Sequence, residues 1–220
     1  MKDELDDFQT NLPATREATG KDRLVPGSAP EVLARLEQKY GRSGSGSGMA
    51  FLLVDCSSSM DAGNKLEQAR TGAYEFADEA IHGNYEVGLI SFASHAKLLS
   101  EPTTGLPALR AAMGRLVAMG STNMAAALRL AAEHLDDARP ARAVVLATDG
   151  MPDSRPETQK AADALKARGV EIHTVMTEDA DVAFLSRLAT RSDLATVARP
   201  HEFRAAIRAA AAKLQLPKPK

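Results

Sequence analysis

From Met49 onward, short apolar runs alternate with longer segments whose apolar residues recur with helical spacing. The apolar runs have the length of strands and lie at 50–54, 85–92, 95–99, 143–147, 170–176 and 194–198. We predict helices at 65–81, 106–117, 124–135, 156–168, 181–189 and 201–216. This alternation favours an α/β fold in which a doubly wound, mainly parallel sheet is flanked by helices, as in Rossmann-like proteins.

Small side chains that carry oxygen follow two of the predicted strands. Asp55, Ser57 and Ser59 come directly after 50–54, and Asp149 comes after 143–147. A third loop, which contains Thr122, precedes a predicted helix. In an open α/β sheet such loops can converge on one edge, where ligands bind. Two carboxylates with several hydroxyls suit a hard divalent cation, Mg²⁺ or Mn²⁺, better than zinc. The alternative is that the serines only cap the helix that follows.

These residues resemble the metal-ion-dependent adhesion site of von Willebrand factor type A domains. Asp55, Ser57, Ser59, Thr122 and Asp149 match that site in order and roughly in spacing, and the resemblance covers residues 49–216. It implies a six-stranded sheet with one antiparallel edge strand. It also implies that the three hydroxyls bind the metal directly and that the two carboxylates act largely through water. An Asp or Glu of a partner protein is then expected to complete the metal's ligand shell.

Four methionines, Met60, Met119, Met124 and Met151, flank the three loops. Flexible apolar side chains around a polar centre suit a partner-binding surface, but ordinary packing in the core is an equal alternative. We expect the single cysteine, Cys56, to be a buried filler and the five histidines to be no metal ligands, since none has ligand spacing.

The first 48 residues differ from the rest in composition. Residues 1–40 include an acidic start and one short predicted helix at 31–40. Residues 41–48 are a Gly/Ser-rich stretch in which serine alternates with glycine from Ser43 onward. We interpret the chain as a fusion, in which an engineered linker joins a partner peptide to a domain at 49–216; a natural linker is the alternative. An acidic residue of residues 1–40 is then a candidate ligand for the metal, in the same chain or a neighbouring one. The candidates are Asp3, Asp6, Asp7 and Asp22.

Composition narrows the possible partners. The net charge is −2, only 4% of the residues are aromatic and tryptophan is absent, which argues against nucleic acid. No apolar run is long enough to span a bilayer. The charged N-terminus and the single cysteine favour a cytoplasmic location.

Two classes of function remain. The first is a non-enzymatic protein-binding module in an intracellular bacterial assembly; the resemblance suggests an AAA+ ATPase of MoxR type as a companion. The second is a magnesium-dependent phosphatase or phosphoryl transferase with Asp55 as its nucleophile. Against the second, phosphohydrolases of the haloacid dehalogenase kind usually carry a second aspartate two residues on, where this chain has Ser57. No lysine is obviously placed to hold a phosphate.

Overall fold

The structure is a computed structural model, and it describes residues 48–216. Within them six strands form one sheet: β1 (Gly48–Asp55), β2 (Tyr85–Phe92), β3 (Ala96–Thr103), β4 (Arg142–Thr148), β5 (Glu171–Thr177) and β6 (Ala195–Ala198). Their order is β3-β2-β1-β4-β5-β6, and every neighbouring pair is parallel except β2 and β3. The predicted mainly parallel sheet, with its antiparallel strand at one edge, is confirmed.

Six α-helices cover the two faces of the sheet within the described residues. They are α1 (Lys65–His82), α2 (Leu106–Met113), α3 (Met124–His134), α4 (Arg155–Ala167), α5 (Val182–Leu188) and α6 (Phe203–Ala211). Helices α1, α2 and α6 pack on one face, and α3, α4 and α5 pack on the other. Strand β1 is buried along its whole length because its alternate side chains enter both of these cores. Among residues 48–216, no helix is long and apolar enough to cross a membrane.

The centre of the sheet positions the site. The chain leaves β1 toward β2 on one side, and β4 lies on its other side, so the winding direction reverses between β1 and β4. Val54 pairs with Ala147, which brings Asp55 and Thr148 to the same edge. In doubly wound sheets the crevice at such a reversal is where ligands bind.

Most element boundaries agree with the prediction to within one residue, and four elements differ by more. Strand β1 begins at Gly48, before its predicted start at residue 50, because Gly48 already pairs with Tyr85. Strand β3 continues to Thr103, beyond its predicted end at residue 99, because Thr103 still pairs with Val87. Helix α2 ends at Met113 instead of residue 117, since Leu116 turns into the core beyond Gly114. Helix α6 spans only nine residues, with a short 3-10 turn before it. The predictions for residues 1–40 and for the linker before Gly48 lie outside the described residues.

Candidate metal centre

Backbone hydrogen bonds hold the three predicted loops together. The Ser58 N–H donates to the Gly120 carbonyl at 3.1 Å, and the Met119 N–H donates to the Cys56 carbonyl at 2.7 Å. The third loop joins them through the Asp153 N–H, which donates to the Thr122 carbonyl at 3.1 Å. The paths of these loops are therefore fixed by main-chain atoms.

Asp55 lies at the end of β1 with no exposed surface. One of its carboxylate oxygens accepts the Ser57 N–H at 2.7 Å, and the other accepts the Thr148 hydroxyl at 2.5 Å. Burial raises its pKa from 3.8 to about 6, although both hydrogen bonds work in the opposite direction. No salt bridge among the described residues involves this carboxylate, so its charge is only partly compensated.

Ser57, Ser59 and Asp149 form a chain of oxygens beside Asp55. The Ser57 and Ser59 hydroxyls are 3.1 Å apart, and the Ser59 hydroxyl donates to Asp149 Oδ1 at 2.8 Å. Asp149 Oδ2 accepts from the ammonium Nζ of Lys65 at 2.5 Å. The side chain of Asp149 has no exposed surface, so this ion pair is buried at the acidic end.

Thr122 reaches the same point from the third loop. Gly150 lies between it and Asp55: a Cβ atom placed on Gly150 would be 3.3 Å from Thr122 Oγ1 and 3.8 Å from Asp55 Oδ2. Asp153 fixes this loop, because its carboxylate accepts the Thr122 N–H at 2.9 Å and the Ser121 hydroxyl at 2.8 Å. The fold thus brings all five predicted metal ligands into one cluster.

The donors in this cluster fit a hard divalent cation. They are two carboxylates and three hydroxyls, and oxygen ligands of this kind suit Mg²⁺ or Mn²⁺. In residues 48–216 no three His, Cys, Asp or Glu side chains gather in an arrangement that could hold a metal, so at this centre hydroxyl groups would have to supply most of the direct ligands. A glycine at position 150 keeps the space between Thr122 and Asp55 open.

Comparison with known proteins addresses the family and the fold. Residues 50–151 match the family model described as the von Willebrand factor type A domain. With the matching fold, this identifies residues 50–151 as a von Willebrand factor type A domain.

Curated bacterial relatives of the type A domain include the "UPF0353 protein" of Mycobacterium ulcerans, which is 31% identical over 146 residues. That alignment covers 58% of this chain and 43% of the relative, so the chain spans less than half the length of the curated relatives it matches.

Solved structures with the same fold come from distant organisms. The von Willebrand factor type A protein of Catenulispora acidiphila has a TM-score of 0.64 at 20% identity, over 76% of this chain and 42% of that one. Manganese-loaded TRAP of Plasmodium vivax has a TM-score of 0.62 at 19% identity, over 76% of this chain and 74% of that one. Proximal thread matrix protein 1 of the mussel byssus, solved with a zinc-occupied MIDAS motif, has a TM-score of 0.62 at 17% identity. It is matched over 75% of this chain and 46% of that one.

The four predicted partner-binding methionines of the type A domain separate into two pairs. Met119 is 63% exposed and Met151 is 65% exposed, both beside the metal loops. Met60 and Met124 are fully buried in the two cores, so the prediction that they contact a partner is wrong. Met60 lies within a 3-10 turn at Ser58–Asn64, and Met124 is the first residue of α3. The inner face of each of these helical segments packs on the sheet, which buries both side chains.

Sequence reasoning missed Lys65 at this site. It is the first residue of α1, where a positive charge is unfavourable because the helix dipole is positive at that end. A lysine at a helix start was therefore a signal that a carboxylate from elsewhere in the chain would meet it. That carboxylate belongs to Asp149, which is 84 residues away in the sequence.

Cys56 is buried, as predicted, and burial raises its pKa to about 12. It lies in a loop of the type A domain's metal centre, but a thiol with so high a pKa stays protonated at neutral pH. In the metal-free domain Cys56 therefore fills space in the core as a protonated thiol.

Proposed function

We propose that this type A domain is a metal-dependent protein-binding module, in which a divalent cation is completed by an Asp or Glu of a partner protein. Ser57, Ser59 and Thr122 would hold the cation directly, and Asp55 and Asp149 would act largely through water. The observation that carries the proposal is Asp55: a fully buried carboxylate with a raised pKa, in one cluster with the hydroxyls of Ser57, Ser59 and Thr122. A cation bound there would stabilise the ionised carboxylate.

The surface beside the metal centre supports an acidic partner. A cleft of about 640 Å³ lies between the β2–β3 turn and the chain at 115–120. Its lining includes His95, Lys97 and Arg115 but no carboxylate among the described residues. Val117 and Met119, two exposed apolar side chains, line it as well. Basic and apolar groups together suit an acidic segment that carries an apolar side chain.

The finer parts of the proposal rest on the family resemblance and on composition. They are Mg²⁺ or Mn²⁺ as the cation, a cytoplasmic bacterial assembly, and an AAA+ ATPase of MoxR type as a companion. The relatives with manganese and zinc support a divalent cation in general. An acidic residue of residues 1–40 as the ligand stays a prediction.

Type A domains are in general interaction modules and not enzymes, and the structure adds little to the phosphatase alternative. From the sequence, no lysine was expected to hold a phosphate at the site, but the structure does place Lys65 there. Its ammonium group is paired with Asp149. Ser57 occupies the position of the missing second aspartate.

Calorimetric titration of the full chain with Mg²⁺ tests the proposal. We expect saturable binding that Asp55→Ala abolishes. Asp61→Asn, which removes an exposed carboxylate in the neighbouring turn, should leave binding unchanged. Equal affinity of the wild type and the Asp55→Ala variant would contradict the proposal.

A further inference from the structure

The metal centre already contains a positive charge. The Lys65 ammonium lies 2.5 Å from Asp149 Oδ2, and only 10% of the lysine side chain is exposed. The other oxygen of Asp149 accepts the Ser59 hydroxyl. Asp149 therefore presents little uncompensated negative charge, in contrast to Asp55, which has only uncharged donors.

The charges of these groups determine how a cation can bind. The buried charged groups of the centre, Asp55, Asp149 and Lys65, together carry one net negative charge when all three are ionised, and water screens the exposed Asp179 nearby. A divalent cation would reverse that sign and leave one excess positive charge in a largely buried site. Uncompensated charge is costly where water is excluded. A cation alone should therefore bind weakly. An anionic ligand should bind to the metal-loaded site more strongly than it would to a site that had the two carboxylates and no lysine.

Lys65 has a second acidic neighbour. Asp179 Oδ2 lies 3.9 Å from the ammonium, in the turn that follows β5, and the Asp179 side chain is 62% exposed. Within the described residues, Asp149 and Asp179 are the carboxylates that lie within 4 Å of Lys65. The ammonium thus has an alternative carboxylate on its solvent side, so it can remain paired and charged while Asp149 turns toward a cation.

We propose that Lys65 makes cation binding and carboxylate binding at this centre mutually dependent. Its charge weakens the binding of a divalent cation alone and strengthens the binding of an anionic ligand to the metal-loaded site. This inference rests on the proposed function. The ammonium repels the cation and attracts a carboxylate, so removing its charge should raise the affinity for the cation and reduce the gain that a carboxylate brings.

Manganese titration of the full chain tests the coupling, with free Mn²⁺ measured by electron paramagnetic resonance. We compare the wild type with Lys65→Gln, which keeps a hydrogen-bond donor without the charge, and Lys65→Arg, which keeps the charge. Each is titrated with and without acetate at constant ionic strength, with a correction for the manganese that acetate binds in solution. Without acetate, Lys65→Gln should bind Mn²⁺ about tenfold more tightly than the wild type or more, which corresponds to about 1.4 kcal/mol. Acetate should raise the Mn²⁺ affinity of the wild type and of Lys65→Arg. It should raise the Mn²⁺ affinity of Lys65→Gln much less.

Each outcome has a distinct meaning. If all three chains bind Mn²⁺ equally, with the same acetate effect, the role of Lys65 is refuted while the metal site stands. If none binds Mn²⁺, the proposed function fails as well. Should Lys65→Gln be too unstable without metal, the rise in its melting temperature with Mn²⁺ replaces the titration. A larger rise than in the wild type supports the inference, and an equal rise overturns it, because the stabilisation grows with affinity.

Discussion

The buried carboxylate of Asp55 makes the stability of the metal-free domain depend on pH. Its pKa is about 6 in the folded chain, against 3.8 when exposed, because burial disfavours the ionised form. The folded state therefore holds this proton more tightly than the unfolded state. The contribution to stability is complete below pH 3.8 and is lost as the pH rises to about 6. At pH 7 the difference corresponds to about 3 kcal/mol of unfolding free energy.

Replacing Asp55 by asparagine removes this dependence. Folded domains have total stabilities of about 5–15 kcal/mol, so a loss of about 3 kcal/mol is large enough to measure. We expect the unfolding free energy of Asp55→Asn, minus that of the wild type, to grow by about 2 kcal/mol between pH 4 and pH 7.5. Taking this difference cancels the contributions of other titrating groups, which are present in both chains.

Urea denaturation in EDTA at pH 4, 5, 6 and 7.5 measures this difference, and Asp61→Asn serves as the control for loss of a carboxylate at the surface. Saturating Mg²⁺ at pH 7.5 should raise the unfolding free energy of the wild type and leave that of Asp55→Asn unchanged. If the two chains have parallel pH profiles, Asp55 is not the buried, partly compensated charge that the structure shows, and the main support for the metal site is lost.

Three further predictions concern other parts of the domain. Gly150→Ala should lower the affinity for Mg²⁺ about tenfold or more in calorimetry, because the new methyl group enters the space between Thr122 and Asp55. The Cys56 thiol should resist Ellman's reagent at pH 8 in the folded chain, since burial raises its pKa to about 12. His173 is buried and its pKa is lowered by that burial, so it stabilises the fold above pH 6.5 and the stabilisation is lost as the pH falls. His173→Leu should therefore lose less stability than the wild type between pH 7.5 and pH 5 in urea denaturation.

Each of these has a control and a contradicting result. Gly114→Ala adds a methyl group on the surface and is the control for Gly150→Ala. If both variants lose the same Mg²⁺ affinity, the effect of Gly150→Ala is not local to the metal centre. Rapid labelling of Cys56 under conditions where the chain remains folded would refute its burial. An acid dependence of His173→Leu equal to that of the wild type would assign that dependence to other groups.

The fold was predictable because it depends on patterns that are local in the sequence. The apolar run before Asp55 and the one before Thr148 each identify a buried strand, and their alternation with helices identifies a doubly wound sheet. The cluster of metal donors followed from the rule that loops at the carboxyl ends of such strands converge. The end of α2 was not predictable, because burial of Leu116 in the core overrides helical spacing beyond Met113.

Contacts between distant residues were the part that the sequence did not reveal. Met60 and Met119 both lie beside metal loops in the sequence, yet the first is buried and the second exposed. Only the direction in which each local turn faces the sheet decides between them. Lys65 meets Asp149 across 84 positions, and no spacing rule relates the two.

The main-chain bonds that tie the three loops together have an evolutionary consequence. Because Ser58, Met119 and Asp153 make these bonds with backbone N–H groups, the bonds do not require any of the five metal-binding side chains. A duplicated gene could lose every metal-contacting side chain and still encode a folded domain with the same surface outline. Shared fold among descendants is therefore poor evidence that they all retain a cation, and each chain has to be judged on its own five donor positions.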